Sequence, residues 1–179
     1  QETYQIYSRV QQLPVKPQKI LLEDSNSGYE FFKAVSDETG RQCQSAEGKS
    51  NLLKKLKDTE SEELCVIADG AAIGPEMNGL YQKIQKNSNI KLYLPESFEW
   101  IILNAGILEG KEIQEILQNP EAYIDSKEYF SWERYFTKLL IEKTEGTYLQ
   151  YKKATLNETY LHEKNKRKIL QSMKGIDFS

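Results

Sequence analysis

Leu64-Cys65-Val66-Ile67-Ala68 is an unbroken apolar run that stops at Asp69-Gly70. A strand with one wet face alternates apolar and polar side chains, so a continuous run marks a strand covered on both faces, as in a parallel sheet. Parallel neighbours cannot be joined by a tight hairpin; each step needs a crossover, usually a helix. The chain around this run supplies such steps. Gln18 to Glu23 reads as a buried strand running into the turn and capping residues Asp24-Ser25-Asn26-Ser27-Gly28. Tyr29, Phe31, Phe32 and Val35 then recur at helical spacing until Gly40.

The unit repeats. Arg41 to Ser45 reads as a weaker strand, and Leu52, Leu53 and Leu56 form the apolar face of a second helix. After Asp69 the loop Ala71-Ala72-Ile73-Gly74 leads to Pro75, which suits the first turn of a helix carrying Met77, Leu80, Tyr81 and Ile84. Ile90 to Leu94 is a fourth strand, closed by Pro95, and Glu96 to Leu103 opens another helix. The fold class is therefore α/β: a mostly parallel sheet of four or slightly more strands, doubly wound and flanked by helices. Beyond Ala105 no strand is evident. Glu112 to Leu117, Trp132 to Lys143 and Asn157 to Met173 read as helices, so residues 1–105 are expected to form the α/β domain and 106–179 a helical extension packed on it. Trp132, Tyr135 and Phe136 share a helical face suited to that docking.

The 179 residues suffice for one core with an appendage, and eleven Tyr, six Phe and two Trp provide the burial that an apolar fraction of 39% leaves short. No apolar run approaches the roughly 20 residues of a membrane span, and the opening QETYQIYSRV lacks a signal peptide's charged and apolar regions. A soluble, cytoplasmic protein is expected, and the absence of an initiating Met leaves room for an upstream domain. Cys43 and Cys65, both in strands, form neither a disulfide framework nor a zinc site and are expected to be inert. The net charge of −3 argues against a nonspecific nucleic-acid coat. Between Lys152 and Lys174, however, seven Lys and Arg face only Glu158 and Glu163. Lys164, Lys166, Arg167 and Lys168 in that stretch are candidate phosphate contacts, and Tyr148, Tyr151 and Tyr160 are candidate base-stacking rings; a solvated amphipathic helix is the alternative.

In parallel sheets function collects beyond the carboxyl ends of the strands. Here those ends carry Glu23, Asp24, Asp69, Glu96 and Glu99. Carboxylates gathered on neighbouring strand tips repel one another, and Mg²⁺ or Mn²⁺ would relieve the repulsion while offering hydrolytic chemistry. The plain alternative is a set of polar strand ends and helix caps. Gly48-Lys49-Ser50 lacks the first Gly of a phosphate-binding loop, that position being Cys43, and the sole histidine, His162, has no serine partner in view. Gly70 to Gly74 could bind an anion through free amides, or simply turn the chain.

The layout Ile20-Leu21-Leu22-Glu23, then Glu47-Gly48-Lys49-Ser50-Asn51 before an amphipathic helix, then Val66-Ile67-Ala68-Asp69-Gly70 resembles the Toprim-like fold of topoisomerases, primases and overcoming-lysogenization-defect nucleases. The resemblance spans Lys19 to Leu103. It implies catalytic roles for Glu23, Asp69 and Lys49, and a Mg²⁺ or Mn²⁺ site at Glu23 and Asp69 in which Asp24, Glu96 or Glu99 could serve. Leu94-Pro95-Glu96-Ser97-Phe98-Glu99-Trp100 is similar to an acidic element after the fourth strand in some relatives. DNA or RNA is then the implied substrate, with a phage-defence setting and an ATPase subunit or upstream domain as partner. Two positions depart from the pattern: Asp24 replaces a Gly, and Ala71 replaces the second Asp of the Asp-x-Asp element. The alternative they support is a degenerate domain serving as an interaction module.

Overall fold

The computed structural model describes residues 16–57, 63–68, 82, 90–93, 97–119, 132–173 and 175–178. Lys19–Leu22 forms β1, Gln42–Ser45 β2, Leu64–Ile67 β3 and Ile90–Tyr93 β4. All neighbours pair in parallel, in the order β2-β1-β3-β4. The register sets Leu22 opposite Ser45 on one side and Ile67 on the other, so the strands end at one level.

Helix α1 (Ser27–Glu38) carries the chain from β1 to β2, and α2 (Lys49–Lys57) carries it from β2 to β3. Phe31, Phe32 and Val35 of α1 pack with Ile20, Leu22, Cys65 and Ile67 on one face. Leu52 and Leu56 of α2 pack with Leu21, Leu64 and Val66 on the other. The period-two alternation of β1 and β3 thus sends successive side chains into two separate cores. This is the doubly wound, Rossmann-like arrangement, and its strand order reverses between β1 and β3. The edge strand β2 buries Cys43 and exposes Gln42 and Gln44, which explains its weak apolar signal.

Further along lie α3 (Phe98–Asn104), α4 (Lys111–Gln118), α5 (Trp132–Thr144), a 3₁₀ turn (Glu158–Leu161) and α6 (Glu163–Ser172). Ser97 caps α3 by accepting from the Trp100 amide at 3.0 Å. The single helix expected from Asn157 to Met173 is instead broken at His162, whose ψ of 140° is extended. Asn157 caps the short turn through the Thr159 amide, and Asn165 Nδ2 donates to the Thr159 carbonyl across the break. Local side-chain hydrogen bonds here outcompete helix continuation. Pro75 to Ile84, read as a helix, lies outside the described residues except for Gln82.

The C-terminal extension shares the α1 core. Tyr135 and Phe136 are buried in T-shaped contact, and Leu149, Tyr160, Ile169, Ile176 and Phe178 join the same cluster. Buried Arg41 donates to the Pro17 carbonyl through Nε and to the Phe178 carbonyl through its terminal nitrogen, with Phe178's ring beneath its guanidinium. Both cysteines are free, as expected, and burial pushes Cys43 up to about 11 and Cys65 up to about 12. Thiolates are excluded near neutrality, so neither is a ready nucleophile. Among the described residues no helix is long and apolar enough to cross a membrane.

Candidate functional site

Strand β1 delivers Glu23 to the point where the strand order reverses. The Glu23 amide donates to the Ile67 carbonyl at 3.2 Å, prolonging the β1–β3 ladder by one rung. Its carbonyl accepts from the Gly48 amide at 2.7 Å, which pins the β2–α2 loop against it. That loop needs Glu47 at φ 59° and Gly48 at φ 120°, the latter a conformation open mainly to glycine. Gly48 therefore stands beside Glu23, and Lys49 follows it as the first residue of α2. The Lys49 side chain is outside the described set.

Asp24 turns the chain toward α1: its Oδ1 accepts from the Asn26 amide at 3.3 Å, and its carbonyl accepts from Ser45 Oγ at 2.7 Å. Ser27 then opens α1, and its amide donates to the Lys153 carbonyl at 2.8 Å. A segment of the C-terminal extension thereby covers the helix start. Leu156, farther along, donates its amide to Glu30. Gly28 lets α1 approach α3 closely, since a Cβ there would sit 3.1 Å from Phe98 Cβ and Cγ.

Between these elements is a pocket of about 40 Å³, lined on its polar side by Glu23, Asp24, Ser27, Glu99, Tyr151 and Lys153. That volume has room for ordered water. Glu99, on the first turn of α3, is only 3% exposed. Tyr151, 2% exposed, donates its hydroxyl proton to Glu99 Oε1 at 2.9 Å and lies 2.7 Å from Ser27 Oγ. Desolvation and then the Glu99 charge push the Tyr151 hydroxyl far above the ordinary phenol value, so it stays a donor at any physiological pH. The helix dipole favours a carboxylate in a first turn by about 0.3–1 kcal/mol.

The structure brings three of the five expected metal-site carboxylates, Glu23, Asp24 and Glu99, to one pocket. Asp69 and Glu96 lie outside the described residues, as does the Gly70 to Gly74 loop. Among the described residues no group of three or more His, Cys, Asp or Glu is close enough to hold a metal ion. The basic cluster is partly consumed in holding the fold. Lys166, with 13% of its side chain exposed, pairs with Glu38 of α1 at 2.6 Å and Glu163 at 3.2 Å, and Arg167 pairs with Glu163 at 3.5 Å. The hydrogen bond that Lys166 donates to Glu38 is the main reason that its ammonium is held above its ordinary value. Lys164 and Lys168 form no ion pair among the described residues and remain open to an anion. Base stacking is left to Tyr148 alone, because Tyr151 and Tyr160 are buried.

Ser27, Tyr151 and Lys153 were not legible as pocket residues. Ser27 and Tyr151 are 124 positions apart, and no spacing links them. Comparison of the chain with protein-family models, curated proteins and solved structures finds no match.

Proposed function

We propose that this chain is a Toprim-like domain that binds or cleaves nucleic-acid phosphodiesters with a divalent metal. The observation that carries this reading is the convergence of Glu23 and the buried Glu99 on one small pocket at the strand-order reversal, with the Gly48 amide bonded to the Glu23 carbonyl. Carboxylate oxygens are the donors that a hard ion takes, and three carboxylates line this pocket. Glu23 and Asp69 would hold Mg²⁺ or Mn²⁺, with Asp24, Glu96 and Glu99 available beside them. When bound, such an ion activates water and neutralises charge developing on phosphate. Lys49 would aid placement of the phosphate. Lys164 and Lys168, with Lys166 and Arg167 anchoring their helix, supply secondary backbone contact. A cytoplasmic, phage-defence role beside an ATPase is the setting that the Toprim-like resemblance implies.

A second reading is a catalytically degenerate interaction module, favoured by the lack of a three-acid group among the described residues and by Ala71 in place of an Asp. Thermal unfolding with and without Mn²⁺, with a cleavage assay on supercoiled DNA, single-stranded DNA and RNA, separates the two. The metal reading expects Mn²⁺ to raise the unfolding temperature and support cleavage, with both lost in Asp69→Ala. No shift and no cleavage in the wild type leaves the module.

A further inference from the structure

A second cavity, of about 220 Å³, lies on the α2 face of the sheet, across β1 from the pocket at Glu23. Strand register builds it. Lys19 stands opposite Gln42 and Leu21 opposite Gln44, and Leu21 also pairs with Val66, two residues after Leu64, so these side chains share one face. Leu52 and Leu56 of α2 cover that face over β1 and β3, packing with Leu21, Leu64 and Val66. Gln42 and Gln44 of the edge strand stay exposed. The space between α2 and β2 is thereby left open, and Lys55 bridges it: its Nζ donates to the Ser45 carbonyl at 2.8 Å.

The lining divides by chemistry. Leu21 and Leu64 are buried and supply an apolar base, whereas Gln42, Gln44 and Lys55 are exposed and Lys19 is half-buried. Two of the described lining residues are cationic and none is Asp or Glu. This disfavours cations and favours a ligand that joins one negative group to a hydrocarbon body. An apolar cavity of about 150 Å³ takes up benzene, so this one has room for a ring or short chain together with a carboxylate.

We propose that this cavity binds a small monocarboxylate of the arylacetic or short-chain fatty acid class, its carboxylate held by Lys19 and Lys55 and its hydrocarbon resting on Leu21 and Leu64. An ammonium has three donors, so Lys55 can hold the Ser45 carbonyl and an anion together. The side-chain amides of Gln42 and Gln44 add neutral donors beside it. The site stands apart from the metal reading, since it lies on the other face of the sheet and uses none of Glu23, Asp24 or Glu99.

The test titrates the full chain with phenylacetate, hexanoate and the neutral phenylacetamide, reading affinity by calorimetry and location by the methyl NMR shifts of Leu21 and Leu64. At least one of the two acids is expected to bind saturably and to shift both leucines. Phenylacetamide should bind about tenfold more weakly than phenylacetate, because it gains no charge-assisted hydrogen bond. Gln44→Phe brings a ring into the cavity from an exposed position and should abolish binding; Gln42→Phe does the same should that variant fail to fold. Lys55→Met and Lys19→Met should each weaken the acids by about tenfold and leave the amide unchanged. Lys54→Met removes an exposed lysine of α2 outside the lining and should bind as the wild type does. Acid binding without shifts at Leu21 and Leu64, or undiminished in Gln44→Phe and Gln42→Phe, overturns the site. An amide that binds as tightly as the acid, or acid affinity unchanged in both lysine variants, overturns the anionic class. A wild-type chain that binds neither acid overturns the proposal outright.

Discussion

One face of the sheet carries Ile20, Leu22, Cys65, Ile67 and Tyr93 beneath α1, α3, α5 and the C-terminal extension, whereas on the other Leu21, Leu64, Val66, Ile90 and Leu92 meet Leu52 and Leu56 of α2. The first is rich in aromatics, with Phe31, Phe32 and Phe98 in mutual ring contact and Phe178 stacked on Phe32. The second is aliphatic among the described residues, and a cavity of about 220 Å³ lies beside it between Leu21, Gln44 and Lys55. Yet the buried polar chain of Ser27, Tyr151 and Glu99 sits on the aromatic side, next to the smaller pocket. The dense aromatic layer surrounds this chain of hydrogen bonds with buried rings.

The contrast can be broken by substitution. Phe32→Ala should cost about 3–5 kcal/mol in chemical denaturation, because its ring contacts Phe31, Phe98 and Phe178 and the dense layer relaxes little. Leu52→Ala on the aliphatic face should cost about 2–3 kcal/mol. Equal losses, or a larger one at Leu52, would mean that the two layers are equally well packed. Gly28→Ala is a finer probe of how tightly α1 and α3 close the pocket. Alanine improves helix propensity by up to about 1 kcal/mol, while crowding against Phe98 costs about 1–3 kcal/mol, so a net loss of about 1 kcal/mol is expected. A gain in stability would show that α3 yields freely.

The smallest effect is expected from pH, and it reports on the aromatic side alone, since Cys43 and Cys65 both point there. Their folded values of about 11 and about 12 lie above the ordinary 9.0, so the folded state resists ionisation that the unfolded chain permits. The stabilisation is complete below about pH 9 and drains away as pH rises toward 11 and beyond. Urea midpoints should accordingly fall between about pH 9 and pH 11, and Cys65→Ala should flatten that fall relative to its own value at neutral pH. An unchanged slope in Cys65→Ala would assign the alkaline loss to other groups, the buried tyrosines first.

The strands, the first two crossover helices and the direction of the sheet were legible in the sequence because each rests on local periodicity: four apolar runs, and Phe31, Phe32, Val35, Leu52 and Leu56 at helical spacing. Glu23 was legible too, as the polar residue that ends an apolar strand. The break at His162 was not, because a capping Asn157 and a bridging Asn165 override a helical pattern only once their partners are in place. Nor were the roles of Lys166 and Tyr151, which depend on Glu38 and Glu99, residues far away along the chain. Sequence by itself determined the layers of this protein, since patterning acts between neighbours along the chain. Tertiary structure alone decided which carboxylate is buried, which hydroxyl donates to it and which cations are already paired, because burial and hydrogen bonding depend on what the fold brings together across distance.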